Sequence, residues 1–588
     1  MVPVQSVPRT VNEVVRRSWF THISDAEGDD EAHGGSMDVA RQITPSAAAD
    51  RYDVDDSFRN SVSLKLRGRT NDDPLPSTNY LNLSVQIYFA KFNAIFPVIH
   101  SQTFRPTPKN SLLLLSICSM GSLLIGSQGA AAQGSKIFER LNKAILASWE
   151  SSVLKDPAEA VSTIQAALIG QTFGLLSGEP KHLAIVEAFH GTVIAWARRC
   201  NMFTRTNSCP DLSGLSGTEL NSLWKTWARS EEIIRTVLGL YVHDAELASM
   251  LHHEPLLRHD SIALSVAADD SVFNAPTAAA WKEQMLLRQD SKLPIRNCLH
   301  VNMEFHHYSQ PLPSELVCTP SSFTAYVILH GISAGVCEQQ QSGRLDLSST
   351  NFSKHYDTLM CWYFTFQAGK NTWSKDDVVP GDPFYLMILW HTVFMNLLAD
   401  FNILERAIGR DGLRVDSSEQ DHVYAVQWAS SSQARRCILH AHALQNALGT
   451  TRFDAEPAIH IPRCLFLAGL ASYCYTRFRP PLTSQASIED SFREPALEFP
   501  EFSIRGAPIP KHLFGAASGQ SSDRVGHDGE PTRSRQQRSG PVVPLGAGML
   551  CTLTDMLHRI GHWAIARKFA AILEMLVRAD TDEDWMLT

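Results

Sequence analysis

An all-α protein is what this sequence predicts: a multi-helix domain with a disordered N-terminal segment and a long Pro/Gly/Ser-rich loop ahead of the C-terminal helices. Three observations carry the prediction. Apolar residues recur at steps of three and four through most of the chain, the spacing that lines one face of a helix. Runs of two-residue alternation bounded by hairpin turns are scarce, which disfavours a sheet-based fold. The composition, 44% apolar and 19% charged over 588 residues, sits near the globular average and excludes a wholly disordered, collagen-like or fibrous chain.

Taken in order, residues 1–75 set an acidic cluster (Asp25, Glu27, Asp29, Asp30, Glu31) among Gly, Ser and Asp-Pro punctuation and are expected to be mostly disordered. The helical region of residues 76–480 follows. Leu81, Val85, Tyr88, Phe92 and Ile95 form its first stripe, which Phe96-Pro97 ends. Residues 110–135 carry no charge and begin with Leu112-Leu113-Leu114-Leu115, long enough for a membrane span. Ser122, Gly126, Ser127, Gln128, Gly129, Gln133 and Gly134 would place polar groups and weak helix formers in lipid, so a buried helix of a soluble protein is expected, with no membrane partner. Further stripes are Val161, Ile164 and Leu168, then Leu183, Val186, Phe189, Val193 and Trp196, then Ile234, Leu238, Tyr241 and Ala245.

Residues 481–545 break the rhythm with Pro481, Pro500, Pro508, Pro510 and a polar stretch from Arg524 to Gly540, and read as a linker or loop. Helical spacing returns in residues 546–580 through Leu557, Ile560, Trp563, Ile565, Phe569, Leu573 and Leu576. The acidic tail of residues 581–588, Asp582-Glu583-Asp584-Trp585-Met586-Leu587 at its centre, has the composition of disordered activation segments; a frayed terminus is the plainer reading. No fixed-period repeat stands out, so no solenoid is expected.

Charge and cysteine usage bound the function. Lys+Arg 52 against Asp+Glu 61 gives a net charge of −9, so there is no overall positive field to hold a polyanion, and any DNA contact is expected to be local or indirect. The 11 cysteines, from Cys118 to Cys551, include no CxxC pair and read as reduced thiols. Met1-Val2-Pro3-Val4-Gln5 opens no secretory signal; a cytosolic or nuclear protein is expected.

The sharpest enzyme-like pattern is Gly331-Ile332-Ser333-Ala334-Gly335, a G-x-S-x-G match that would make Ser333 the nucleophile of a serine hydrolase. Chance gives about one such match in every six or seven chains of this length. The elbow also needs a buried strand before it; Phe323 to Leu329 could supply one, yet Phe323, Tyr326, Val327 and His330 share a helix face. His252-His253, His306-His307 and the pair His440 and His442 lack the i,i+3 or i,i+4 spacing that zinc prefers on a helix, and read as surface or core histidines. Gly546-Ala547-Gly548 has no third glycine to cradle a phosphate. Arg533-Ser534-Arg535-Gln536-Gln537-Arg538 is a basic run diluted by Asp523, Asp528 and Glu530, a solvated loop more than a nucleic-acid patch. No residue is assigned as catalytic, cofactor-binding or metal-ligating.

The stretch Tyr88-Phe89-Ala90-Lys91-Phe92-Asn93-Ala94-Ile95-Phe96-Pro97-Val98-Ile99-His100 resembles the opening of the fungal-specific transcription factor domain, the "middle homology" region. Later blocks follow in the family's order: Leu112 to Cys118, Ile137-Phe138-Glu139-Arg140, Gln171 to Gly178, Phe189-His190-Gly191 and Ala195 to Arg199. Trp224, Trp227, Glu231, Arg235, Asp244, Pro255, Ala275-Pro276-Thr277 and Trp281 continue it. Leu389-Trp390-His391, Leu404 to Arg410 and His460-Ile461-Pro462-Arg463 are similar to the fungal regulators that carry two-Cys two-His fingers, so the resemblance spans roughly residues 80–480.

The resemblance implies an all-α regulatory domain of a nuclear regulator of RNA polymerase II transcription. Its partners would be the transcription machinery or other regulators, with a homodimer or heterodimer conceivable. Such proteins carry a zinc-stabilised DNA-binding module ahead of this domain, and no cysteine precedes Cys118. Zinc is therefore expected only if an upstream module exists, and DNA contact by these residues is expected to be indirect. A scaffold that has left transcription is the rival from another class. Among the motif residues, Phe96-Pro97 is expected to end a helix, Trp196 and Trp224 to be buried, and Asp244 or Glu231 to pair with Arg235.

Overall fold

The computed structural model describes residues 11–23, 54–67, 75–155, 157–205, 210–258, 265–290, 321–345, 349–371, 382–412, 418–449, 456–479, 499–503, 545–560 and 562–586. Among the described residues the repeating structure is helical throughout, with no strand. Two helices, α1 (Val11–Ser18) and α2 (Asp56–Arg67), lie inside the segment expected to be mostly disordered. Val15, Trp19 and Phe20 are buried; the Trp19 ring meets Phe466 edge-on at 5.8 Å and Phe20 meets Phe569 at 5.1 Å. A groove built by helices 450 positions onward holds these rings, and local composition carries no trace of it. The acidic cluster Asp25 to Glu31 lies outside the described residues.

Helix α3 (Thr78–Ile87) starts where the Ser77 hydroxyl accepts the Tyr80 N–H at 3.3 Å. It runs through a π turn, Tyr88–Phe92, into the short α4 (Asn93–Ile95), and Phe96 leaves helical geometry ahead of Pro97, as expected. The uncharged stretch 110–135 forms two helices, α5 (Ser111–Leu124) and α6 (Gln128–Lys155), because the chain turns at Gly126 with φ +79°. Helix α5 is buried nearly all round. Its serines stay satisfied locally: Ser116, Ser119 and Ser122 donate to the carbonyls of Leu113, Ser116 and Cys118 at 2.7–2.8 Å. No single helix among the described residues is long and apolar enough to cross a membrane.

Helices α7 (Pro157–Leu176) and α8 (Pro180–Arg199) pack as a hairpin against α5 and α6, α8 opening on Pro180 at its first turn. The longest helix, α9 (Gly217–Leu251), is 35 residues, about 50 Å at 1.5 Å per residue. Its first half packs Trp224 and Trp227 with Val272, Phe273 and Trp281 of α10 (Asp270–Phe273) and α11 (Ala278–Asp290) in a separate small core. Its second half, from Ile234 to Met250, is buried on every side, the pattern of a central helix.

Around it come α12 (Ser322–Gln341), α13 (Thr350–Asn371), α14 (Leu386–Leu398), α15 (Phe401–Ala407), α16 (Ser418–Ala429) and α17 (Ser432–Gly449). The second fully covered helix is α18 (Ile461–Phe478), buried from Ile461 to Cys474. Inside the stretch read as a linker or loop, Phe499 leads into one helical turn, α19 (Pro500–Ser503), with Phe499, Glu501 and Phe502 buried. Helices α20 (Leu545–Arg559) and α21 (Ala564–Met586) close on α18, and α21 carries helical backbone through most of the stretch read as an acidic tail. One continuous apolar core joins Val15 to Leu576.

Candidate functional site

Burying a charge in an apolar helical bundle is costly unless it is paired and hydrogen-bonded, so the placement of buried ion pairs marks where this fold spends stability on specificity. They form a series along α9. Near its middle, Arg235 Nε donates to Glu231 Oε1 at 3.0 Å, its terminal nitrogen donates to the Ala268 carbonyl at 2.7 Å, and the Ala268 N–H returns to Glu231 at 2.7 Å. The guanidinium lies 3.8 Å from the Phe273 ring centre. Beside it the His100 N–H donates to Glu232 at 2.7 Å. Burial, with Arg235 nearby, holds the His100 ring down to about 4, so it is neutral at pH 7.

Two turns on, Asp244 accepts from the N–H groups of Leu256 and Leu257 at 3.2 and 2.8 Å and hydrogen-bonds His190 Nε2 at 3.1 Å. His190 Nδ1 reaches Gln171 Oε1 at 3.0 Å. Of the two acids expected to pair with Arg235, Glu231 does so and Asp244 does not: nine positions separate it from Arg235 along the helix, and it clamps the turn after α9 instead. His243 packs 4.9 Å from the His190 ring, and burial, then His190, lowers it to about 3.

Another deeply buried pair joins the two central helices. Arg463 of α18 donates two parallel bonds to Glu246 of α9, at 2.6 and 2.9 Å, with both side chains at most 3% exposed. His330 of α12 stands 3.5 Å from Glu246, and Tyr326 one turn earlier hydrogen-bonds His460 at 2.9 Å. At the end of α9, His252 adopts the left-handed conformation (φ +54°) and meets Glu405 at 2.9 Å. Arg410 also binds Glu405, at 2.9 Å, and Arg406 grips Asp421 with two bonds of 2.7 and 2.9 Å. Glu405, Arg406, His460 and Arg463, which the family resemblance singles out as scattered motif residues, are thus groups that tie helices together. Trp196 and Trp224 are buried as expected.

A further cluster escaped sequence reasoning altogether. Glu501 of α19 accepts from Arg436 Nε at 2.5 Å, lies 3.6 Å from His440 Nε2, and takes the Tyr356 hydroxyl at 3.4 Å. Burial alone would raise its carboxyl; His440 and Arg436 outweigh that and hold it at about 2. The signal in the sequence was the Phe499-Pro500-Glu501-Phe502 pattern inside a polar stretch, which periodicity analysis discards.

The nucleophile candidate has no chemistry around it. Ser333 sits in the middle of α12, 1% exposed, its Oγ without a hydrogen-bond partner among the described residues. Phe323 to His330 precede it as helix, not strand, so the strand-turn-helix elbow is missing, and Gly335 serves close packing against His355. The hydrolase reading is corrected on this ground. Burial raises the Cys118, Cys437 and Cys474 thiols, and those of Cys337 and Cys464 to about 12, leaving them protonated and unreactive at neutral pH. Among the described residues no group of three or more His, Cys, Asp or Glu is gathered for a metal ion. His306-His307 and the basic run Arg533 to Arg538 lie outside them. A crevice against α6, α7 and α8, lined by Phe138, Leu141, Ile145, Ala167, Phe189 and Trp196, encloses about 20 Å³, room for one water.

Residues 85–364 match the fungal specific transcription factor domain. Over that span the chain is similar to the family. Its match begins within α3 and ends within α13, so the matched span holds α9 with Glu231, Asp244 and Glu246, while Arg463, Glu405 and Glu501 lie beyond it. The chain is 25% identical over 444 residues to the nicotinate catabolism cluster-specific transcription factor of Emericella nidulans, covering 69% of this chain and 48% of that protein. It is 22% identical over 261 residues to a transcription factor of Gibberella fujikuroi, 44% of this chain and 33% of that one. It is 21% identical over 420 residues to zinc finger protein klf1 of Schizosaccharomyces pombe, 67% of this chain and 51% of that one. The chain thus spans about half the length, or less, of the curated relatives it matches. No solved structure matches it.

Proposed function

We propose that this protein is a fungal transcription regulator that works in the nucleus on RNA polymerase II transcription through its helical domain. The observation that carries the reading is the fungal specific transcription factor domain itself, matched over residues 85–364 and supported by relatives that are transcription factors. The buried series along α9 is architecture, without a catalytic constellation, and fits a domain whose output is association with other proteins. Its partners are the transcription machinery or other regulators, a second copy included. On this reading zinc belongs to a module outside these 588 residues, in which no CxxC pair occurs and no cysteine precedes Cys118. They meet DNA through a partner or through a zinc module outside them.

Fusion of the chain to an unrelated DNA-binding domain tests the reading. Transcription of a reporter carrying the matching site should change. A fusion that is expressed, folded and nuclear yet leaves the reporter unchanged would overturn an intrinsic effector function, and a strictly cytosolic protein would favour a scaffold.

A further inference from the structure

The five residues Phe499 to Ser503 are held by helices distant from them in sequence. They come from a stretch rich in Pro, Gly and Ser, and they enter a cleft between α13, α14 and α17. Phe499 and Phe502 are each 7% exposed, and with Leu439 they form a small apolar cluster separate from the main core. Glu501 between them is fully covered.

The cleft is built for such a segment. Its floor is His440, stacked on Phe394 at 4.6 Å and hydrogen-bonded through Nδ1 to His391 at 2.9 Å. Phe502 also packs against the His440 ring, tilted, at 4.6 Å. Arg436, with its side chain 14% exposed, is walled by Tyr356, Phe394 and Phe499 at 5.1, 5.9 and 5.4 Å from its guanidinium carbon. The carboxylate that meets Arg436 and His440 arrives on the segment, whereas the cationic and aromatic lining belongs to the helices. Two aromatic anchors flanking one buried charge-assisted bond are the composition of a peptide-recognition hot spot.

We infer that this cleft is a peptide-binding site for a protein segment bearing a carboxylate between two aromatic side chains, and that the chain's own Phe499 to Ser503 occupies it as a tethered resident. The occupant that competes is a partner protein carrying the same aromatic-Pro-Glu-aromatic pattern. Tethering through the same chain gives the resident an effective concentration on the order of millimolar, so a partner gains the site only with higher affinity or at high local concentration. The site is distinct from the buried series along α9, and binding to it is measured without reference to transcription.

The test uses the full chain and a fluorescent peptide of residues Ala496–Gly506. In the triple variant Phe499→Ala, Glu501→Ala, Phe502→Ala the cleft is intact and vacated, and it should bind the peptide. Wild type should bind at least about tenfold more weakly, since its resident must first be displaced. A peptide carrying Glu501→Gln, or the triple variant with Arg436→Ala added, should lose binding by about tenfold or more. A folded triple variant that ignores the peptide, or binds the Gln peptide equally well, would overturn the proposal. Should the triple variant fail to fold, wild type with site-specific protease sequences inserted after Ser487 and after Ser518 replaces it. After cleavage the segment should exchange with added peptide while the helical signal is retained; permanent retention of the cut segment, or unfolding on its release, would show a purely structural piece.

Discussion

Arg463 and Glu246 meet 217 positions apart in sequence, and neither is in contact with bulk water. Removing one partner strands the other charge in the core, a loss of about 3–5 kcal/mol. Arg463→Met and Glu246→Leu are each expected to cost that much in chemical denaturation, and the double variant to recover most of it, because two apolar side chains need no compensation. Single variants that unfold at the wild-type midpoint would refute the pair's burial. The buried histidines add a pH signature. His243 and His100 titrate at about 3 and about 4 in the fold against an ordinary value of 6.5, so between those limits the unfolded chain binds more protons than the native one. Their stability is fully present above pH 6.5 and is lost as pH falls toward 4 for His100 and toward 3 for His243, at about 1.4 kcal/mol per unit for each ring. His243→Leu should remove about one proton from the slope of stability between pH 6 and 4; an unchanged slope would mean that His243 protonates freely. Sequence marked Arg463 and Glu231 as notable, yet it found the true partner only for Glu231 and Arg235, four positions apart on one helix. Partners on other helices leave no periodic signal.

Within elements, the stripes that begin at Leu81, Leu183 and Leu557 were legible because a half-covered helix writes its buried face at steps of three and four. Helices covered all round, α5 above all, read as apolar runs without a face. That is why the break at Gly126 was invisible and why α5 and α6 looked like one helix. Short pieces were missed for a different reason: α1 and α19 are stabilised by grooves on distant helices, not by their own propensity. The crossing of α3 and α5 gives a direct test. A Cβ on Gly121 would stand 2.0 Å from the Ser84 carbonyl oxygen, and backbone cannot step aside as a side-chain end can. Alanine in a helix interior gains up to about 1 kcal/mol over glycine, whereas overpacking costs about 1–3 kcal/mol. The clash should win, and Gly121→Ala is expected to lower stability by about 1 kcal/mol or more in urea denaturation. A gain would show that α3 and α5 are farther apart.

At the scale of the molecule, the matched domain and the folded unit have different bounds. Residues 85–364 hold Glu246, His330 and Tyr326, but Arg463 and His460 come from α18, and the apolar core that begins at Val15 continues to Leu576. A fragment of residues 75–371 would expose the face of α9 and α12 on which α14 and α18 lie, and would leave Glu246 buried or half-buried without its arginine. Separate pieces of one core do not satisfy their own interior. Residues 75–371 expressed alone are therefore expected to aggregate, or to melt without a cooperative transition. Co-expressed residues 382–588 should rescue them as a soluble complex that melts in one step, and Arg463→Met in the second fragment should weaken that complex by tenfold or more, since about 1.4 kcal/mol is a tenfold change. A fragment of residues 75–371 that melts cooperatively by itself would show that the matched domain is the folding unit and that α14 to α21 are an addition to it.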